Sequence, residues 1–203
     1  MSSRQYSNQL ELAQHVIDYL EGLAEVESAI LYGSLVNGNS DEFSDIDIEI
    51  NVGKHDDAAF ALRLPRLLDL EFEVAISDWR RSLLPDKYLQ AFFIEGVPIF
   101  WSFDFAVAAD THRPLRTDPP RDELDSFLKL WCGNLKYWIR KDPRHARLIP
   151  LMAHRVLSDD AMADLDLRGQ MVQSLEYVAM TSYGRKEKFI ARCLEASKQY
   201  LGE

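Results

Sequence analysis

Basic residues are in deficit: Lys and Arg number 23 against 33 Asp and Glu, for a net charge of −10 and a pI near 5.0. An extended nucleic-acid footprint needs a basic surface to displace counterions from phosphates, so the balance argues against one. It suits a cationic or neutral small substrate, or a phosphate ligand whose charge is handled by metal ions. Long apolar runs are missing too. None approaches the roughly 20 residues that span a bilayer, so no membrane partner is expected. The opening "MSSRQYSNQLELAQ" has no apolar signal core, which makes the cytoplasm the default compartment. Cysteine is scarce: Cys132 and Cys193 sit in helical-looking apolar segments and read as reduced core residues rather than a disulfide. The five histidines, His15, His55, His112, His145 and His154, are scattered without zinc spacing. Gly-x-Ser-x-Gly, a Walker loop and Gly-x-Gly-x-x-Gly are absent, which removes the obvious hydrolase, P-loop and Rossmann readings.

What is present is a globular composition, 47% hydrophobic and 28% charged. Residues 8–23 place Leu10, Ala13, Val16, Ile17 and Leu20 at helical spacing behind Asn8, a plausible cap. "VESAILYG" (26–33) and "DIDIEINV" (45–52) read as strands. "DDAAFALRLPRLL" (56–68) reads as a helix interrupted near Pro65. "DLEFEVAI" (69–76) alternates again, with Leu70, Phe72, Val74 and Ile76 opposite Asp69, Glu71 and Glu73. "LPDKYLQAFFIEG" (84–96) reads as a short helix and "VPIFW" (97–101) as an edge strand. "THRPLRTDPPRDE" (111–123) looks like a linker. Beyond it, residues 122–141, 144–158, 166–181 and 186–201 all read as helices. The expected architecture is α+β: a small mixed sheet with helices over residues 1–110, then an α-helical bundle over 111–203.

The stretch "LYGSLVNGNSDEFSDIDIEI" (31–50) concentrates the chemistry. Alternation along a strand sends Ile46, Ile48 and Ile50 to one face and Asp45, Asp47 and Glu49 to the other, with same-face neighbours about 7 Å apart. So repulsive a row is costly unless solvated or neutralised. Carboxylate oxygens are hard ligands suited to Mg²⁺, which takes one or two of them plus substrate phosphates. Upstream, Gly33 permits close backbone approach to a phosphate and Ser34 offers a hydroxyl and an N–H. Triphosphate on one side and carboxylates on the other form a site for phosphoryl or nucleotidyl transfer. Asn37, Asn39 and Ser44 read as turn-formers, Asp41 and Glu42 as solvated loop charges, and Arg80, Arg81 and Lys87 as surface cations.

Gly33-Ser34, ten intervening residues (35–44) and Asp45-Ile46-Asp47 resemble the signature of the nucleotidyltransferase superfamily of the DNA polymerase β type. The resemblance spans roughly residues 8–104, and "IEGVPIFW" looks like the strand that ends the family's catalytic domain. It implies that Asp45 and Asp47 bind two Mg²⁺ ions, that Gly33 and Ser34 hold the nucleotide's phosphates, and that an acid on a later strand completes the metal site. Glu73 is the first choice for that acid and Glu71 the second, while Glu49 has no assigned role. The helical tail is similar in layout to that of small aminoglycoside and lincosamide nucleotidyltransferases. There it covers the acceptor, and a further carboxylate (here Glu176, Asp125 or Glu123) can act as general base. The activity implied is transfer of a nucleoside monophosphate, first of all AMP from ATP, to a hydroxyl of a small molecule such as an antibiotic, with loss of pyrophosphate. A nucleotide-binding sensor, a toxin–antitoxin-type partner module and protein adenylylation are the alternatives. Assembly as a homodimer is left open.

Overall fold

The computed structural model describes residues 5–80 and 85–202. The chain divides into two compact units, Met1–Arg121 and Asp122–Glu203. In the first, the elements run α1 (Gln9–Glu21), β1 (Ser28–Tyr32), β2 (Ile46–Asn51), α2 (Asp57–Leu68), β3 (Val74–Arg80), β4 (Tyr88–Ile94) and β5 (Phe103–Ala108). The strands form one sheet in the order β1-β2-β5-β4-β3. Only β2 and β5 run parallel; the other neighbours are antiparallel. The fold is α+β with a mixed sheet, as the patterning implied.

Asn8 caps α1, its side-chain oxygen accepting the Glu11 N–H at 2.9 Å. The helix buries Leu12, Ala13, Val16, Ile17 and Leu20. These join Ile46, Ile48 and Ile50 of β2, Phe103, Phe105 and Val107 of β5, and the apolar side of α2 in one core. Both helices therefore cover the isoleucine face of β2, and Asp45, Asp47 and Glu49 point away from it.

Pro65 lies inside α2 rather than ending it. Lacking an N–H, it leaves the carbonyl four residues earlier, that of Ala61, without a helical partner. Gln90 of β4, 2% exposed, supplies one: its Nε2 donates to Ala61 O at 2.6 Å. Gln90→Leu is expected to lower stability by about 1–3 kcal/mol, the usual effect of stranding a buried acceptor. In a Pro65→Ala background the restored N–H should shrink that loss, which urea denaturation of the four variants measures.

Three readings of the sequence are corrected. "DLEFEVAI" is not one strand: residues 69–73 form turns leaving α2, with the Glu71 and Phe72 N–H groups bonded to Leu68 O, and β3 begins at Val74. Leu70 consequently stands 70% exposed rather than in the core. Within 84–96 the described residues form a strand, β4, not a helix. Its run "YLQAFFI" is buried on both sides, so it lacks the alternation that marks a half-exposed strand. The stretch 97–101 makes a turn, Trp101 N–H to Pro98 O at 2.9 Å, and the strand follows it as β5 in the middle of the sheet.

The proline-rich segment after β5 is pinned to the first unit. The Asp110 N–H bonds Gly53 O at 2.8 Å. The buried Asp57 takes His112 Nδ1 at 2.6 Å and the Arg113 N–H at 3.0 Å. The Tyr88 hydroxyl donates to Arg113 O and accepts the Leu115 N–H, and burial pushes that phenol's pKa up. Arg121 grips the buried Asp78 through Nε and Nη2.

The second unit comprises α3 (Glu123–Ile139), α4 (His145–Ala153), α5 (Asp159–Met162), α6 (Leu167–Thr181) and α7 (Glu187–Leu201). Trp131 is fully buried and its indole N–H donates to Met171 O at 3.0 Å, joining α3 to α6. Cys132 and Cys193 are buried thiols outside any disulfide, their sulfurs 3.9 Å apart. No described helix is long and apolar enough to cross a membrane.

Candidate active site

The sheet register assembles the site. Tyr32 pairs with Asp47, Asp47 with Asp104, Asp104 with Ala91 and Ala91 with Asp78, one row across all five strands. Directly paired residues point to the same face. Asp47 and Asp104 are thus side by side on the face away from the core, with backbones about 4.8 Å apart at ordinary strand spacing. Asp45 lies one pleat from Asp47, and all three carboxylates are half-buried. Phe103 and Phe105, stacked with ring centres 5.5 Å apart, enter the core on either side of Asp104 and fix which way it points.

Ser102 ties Asp45 to this frame. Its carbonyl accepts the Ile46 N–H at 2.8 Å, and its hydroxyl donates to Asp45 Oδ1. The loop leading into Asp45 is braced as well. Gln9 Nε2 donates to Ser44 O at 2.8 Å, Ser44 Oγ donates to Asp41 Oδ1 at 3.0 Å, and Asp41 Oδ1 accepts the Phe43 N–H at 3.0 Å. Ser44 is a turn-former as expected, and Asp41, exposed as expected, also braces the turn through its carboxylate.

Gly33 closes the other side. It follows β1 with φ +75°, and a Cβ placed on it would lie 2.2 Å from Asp47 Oδ2 and 3.0 Å from Cγ. Glycine is required here twice over, by the backbone conformation and by the carboxylate packed against it. From Gly33 the chain turns tightly, with the Asn37 N–H to Gly33 O and the Asn39 N–H to Ser34 O both at 3.2 Å. Ser34 opens that turn, so it and the Asp47 carboxylate flank the same glycine.

The structure does not bring Glu73 or Glu71 to this place. Glu73 precedes β3, the far edge strand, and its carbonyl accepts the Glu95 N–H at 2.8 Å. Two strands separate β3 from β2, about 14 Å at ordinary spacing. The row through Asp47 reaches β3 only at Asp78, well beyond Glu73. Glu71 lies in the turn after α2 and pairs with His15 Nε2 of α1 at 3.4 Å, in the helical layer. The acid that the register sets beside Asp47 is Asp104, in "FDFAVA", which the sequence did not single out. Asp78 shares its row but is buried against Arg121.

Glu49 is joined to Lys87, Nζ to Oε2 at 2.5 Å. Arg81 lies outside the described residues. Of the candidate general bases, Asp125 is buried with Lys186 Nζ at 3.3 Å, Glu123 pairs with Arg155 and Glu176 is exposed.

Among the described residues, no group of three or more His, Cys, Asp or Glu is gathered closely enough to hold a metal by itself. The donor set nevertheless fits a hard divalent cation. Asp45, Asp47 and Asp104 offer only oxygens, and Mg²⁺ is commonly held by one or two carboxylates with substrate phosphates and water filling the remaining positions.

A sheet with paired aspartates on one face, beside a Gly-Ser turn, agrees with the arrangement that the sequence resemblance implied. Residues 14–100 match the family described as "Polymerase beta, Nucleotidyltransferase". Those residues carry a nucleotidyltransferase domain of the polymerase β type. Among curated proteins none matches the sequence. Solved structures are distant. The GLD-2/RNP-8 complex gives 12% identity and TM-score 0.39, over 86% of this chain and 79% of that one. The RNA terminal uridylyl transferase Cid1 gives 13% and 0.35, over 85% of this chain and 48% of that one. The Elizabethkingia meningoseptica cyclic dinucleotide synthase CdnE gives 13% and 0.32, over 91% and 74%.

Proposed function

We propose that the open face of β2 and β5 moves a nucleoside monophosphate, in the first instance AMP from ATP, to a hydroxyl of a small-molecule acceptor. The observation that supports this most is the register of Asp47 beside Asp104, with Gly33 packed on the Asp47 carboxylate. Asp45, Asp47 and Asp104 would hold Mg²⁺, which when bound neutralises phosphate charge and aligns the attacking and leaving oxygens. The residues themselves supply placement. Gly33 admits the phosphates close to the backbone, Ser34 and the N–H groups of its turn face their oxygens, and Ser102 fixes Asp45. The acceptor hydroxyl oxygen attacks the α-phosphorus and gives up its proton to water, the bond from the α-phosphorus to the oxygen bridging it to the β-phosphate breaks, and pyrophosphate leaves. Positioning and charge neutralisation account for most of the rate. The net charge of −10 favours a neutral or cationic acceptor over RNA; an antibiotic is one compound of that kind.

The test is pyrophosphate release with Mg²⁺, each of the four common NTPs, and a panel of aminoglycosides, lincosamides, RNA and candidate proteins. Release with ATP and a small hydroxylated acceptor is the expected result. Nucleotide binding without release from any pairing would make the chain a sensor, and release with RNA or protein alone would replace the acceptor class. Gly33→Ala should reduce kcat/KM by about a hundredfold, the scale of displacing a catalytic group by an ångström or so. Circular dichroism should show the fold intact. Wild-type rates in that variant would mean that the Asp47 carboxylate is not held by Gly33.

A further inference from the structure

Glu49 raises a question that the proposed site leaves unanswered. It follows Asp47 on the same face of β2, one pleat or about 7 Å along, and is half-exposed. A fourth carboxylate so near a metal-binding pair could draw a divalent cation away from the position where a nucleotide needs it. Hard cations do not distinguish Glu from Asp.

Lys87 meets that problem by an unusual route. Glu49 pairs in register with Ala106 of β5, and Ala106 pairs with Leu89 of β4. Lys87 lies two residues before Leu89 and thus on the same face. To bond Glu49 at 2.5 Å its side chain must cross the whole of β5, a span of about 10 Å between β4 and β2. The residues that β5 presents there are Ala106 and Ala108, small enough to leave a trough for the lysine stem. A long cation laid over apolar surface with its head on a carboxylate is partly desolvated, and the Lys87 side chain is 23% exposed.

We infer that Lys87 is a positioning residue of the nucleotidyltransferase: it ties Glu49 back from the carboxylate pair, so that divalent cations bind with nucleotide rather than ahead of it. The inference rests on the metal site proposed above. Released, Glu49 has the reach to lean one pleat toward Asp47. The chain would then carry a carboxylate cluster able to capture a cation unaided.

The experiment measures Mn²⁺ binding by electron paramagnetic resonance on the full chain, with and without a nonhydrolysable ATP analogue. With the analogue, Asp47→Asn should weaken Mn²⁺ binding; if it does not, the metal site itself is wrong. Without the analogue, Lys87→Met should bind Mn²⁺ several-fold more tightly than wild type. Lys87→Arg, which keeps the ion pair, should match wild type. The Lys87→Met, Glu49→Gln double variant should return to the wild-type value, a rescue that a merely structural lysine would not produce. If Asp47→Asn behaves as expected while Lys87→Met leaves nucleotide-free Mn²⁺ binding unchanged, the positioning role is overturned and the metal site stands. The same holds if Glu49→Gln fails to reverse the gain.

Discussion

Asp47→Asn is expected to reduce nucleotidyl transfer on the order of a thousandfold or more, about 4 kcal/mol of transition-state stabilisation, while leaving the fold in place. Asp47 is the point where the site's three supports meet. Asp45 is one pleat away, Asp104 is its register partner on the next strand, and Gly33 is packed on its carboxylate. No other acid on β2 has all three. Asparagine keeps the shape, so the pairing with Tyr32 and Asp104 and the fit against Gly33 survive. It removes the negative charge and one of the two oxygens available to a cation. Turnover measured as pyrophosphate release should therefore collapse, while far-UV circular dichroism and cooperative melting persist. Substantial turnover in Asp47→Asn would end the metal-site assignment, and loss of the cooperative melt would show the residue to be structural first.

How much of this could be seen in the sequence depended on whether the signal was local. The β2 strand was legible because Ile46, Ile48 and Ile50 alternate with acids, a pattern that only a one-sided strand explains. The helices were legible from their 3.6-residue spacing and caps, and Gly33-Ser34 from its distance to Asp45. The central strands were not. Buried on both sides, β4 lacks alternation, and leucine, alanine and glutamine give "YLQA" a helical look. In β5 a single aspartate interrupts an apolar run with no turn signal close to it. Alternation in "DLEFEVAI" misled, because its first half is the unwinding end of α2, tied by Phe72 N–H to Leu68 O. Gln90 and Pro65 show the same limit: each looks misplaced alone, and only the tertiary bond from Gln90 Nε2 to Ala61 O explains both. Register between distant strands is a property of the folded sheet, and the acid that completes the site depends on it.

That acid can be identified by comparing two variants. Asp104→Asn should lose most of the turnover, by about a hundredfold or more, whereas Glu73→Gln should keep most of it. The reasoning is geometric. A metal–oxygen bond is about 2.1 Å, so two carboxylates sharing a cation must bring their oxygens within roughly 4 Å of each other. Neighbouring strands place paired backbones about 4.8 Å apart, which leaves Asp47 and Asp104 within reach through ordinary side-chain rotation. From β3 the sideways gap alone is about 14 Å, more than two side chains and a cation can bridge. The backbone of Glu73 is also committed elsewhere, its carbonyl holding the Glu95 N–H beyond the end of β3. Both variants should be assayed at saturating ATP and Mg²⁺ and then at falling Mg²⁺. Asp104→Asn should demand more Mg²⁺ for its residual rate, and Glu73→Gln should follow the wild-type curve. If Glu73→Gln were the crippled variant and Asp104→Asn the active one, the row through Tyr32, Asp47 and Asp104 would not be the catalytic row.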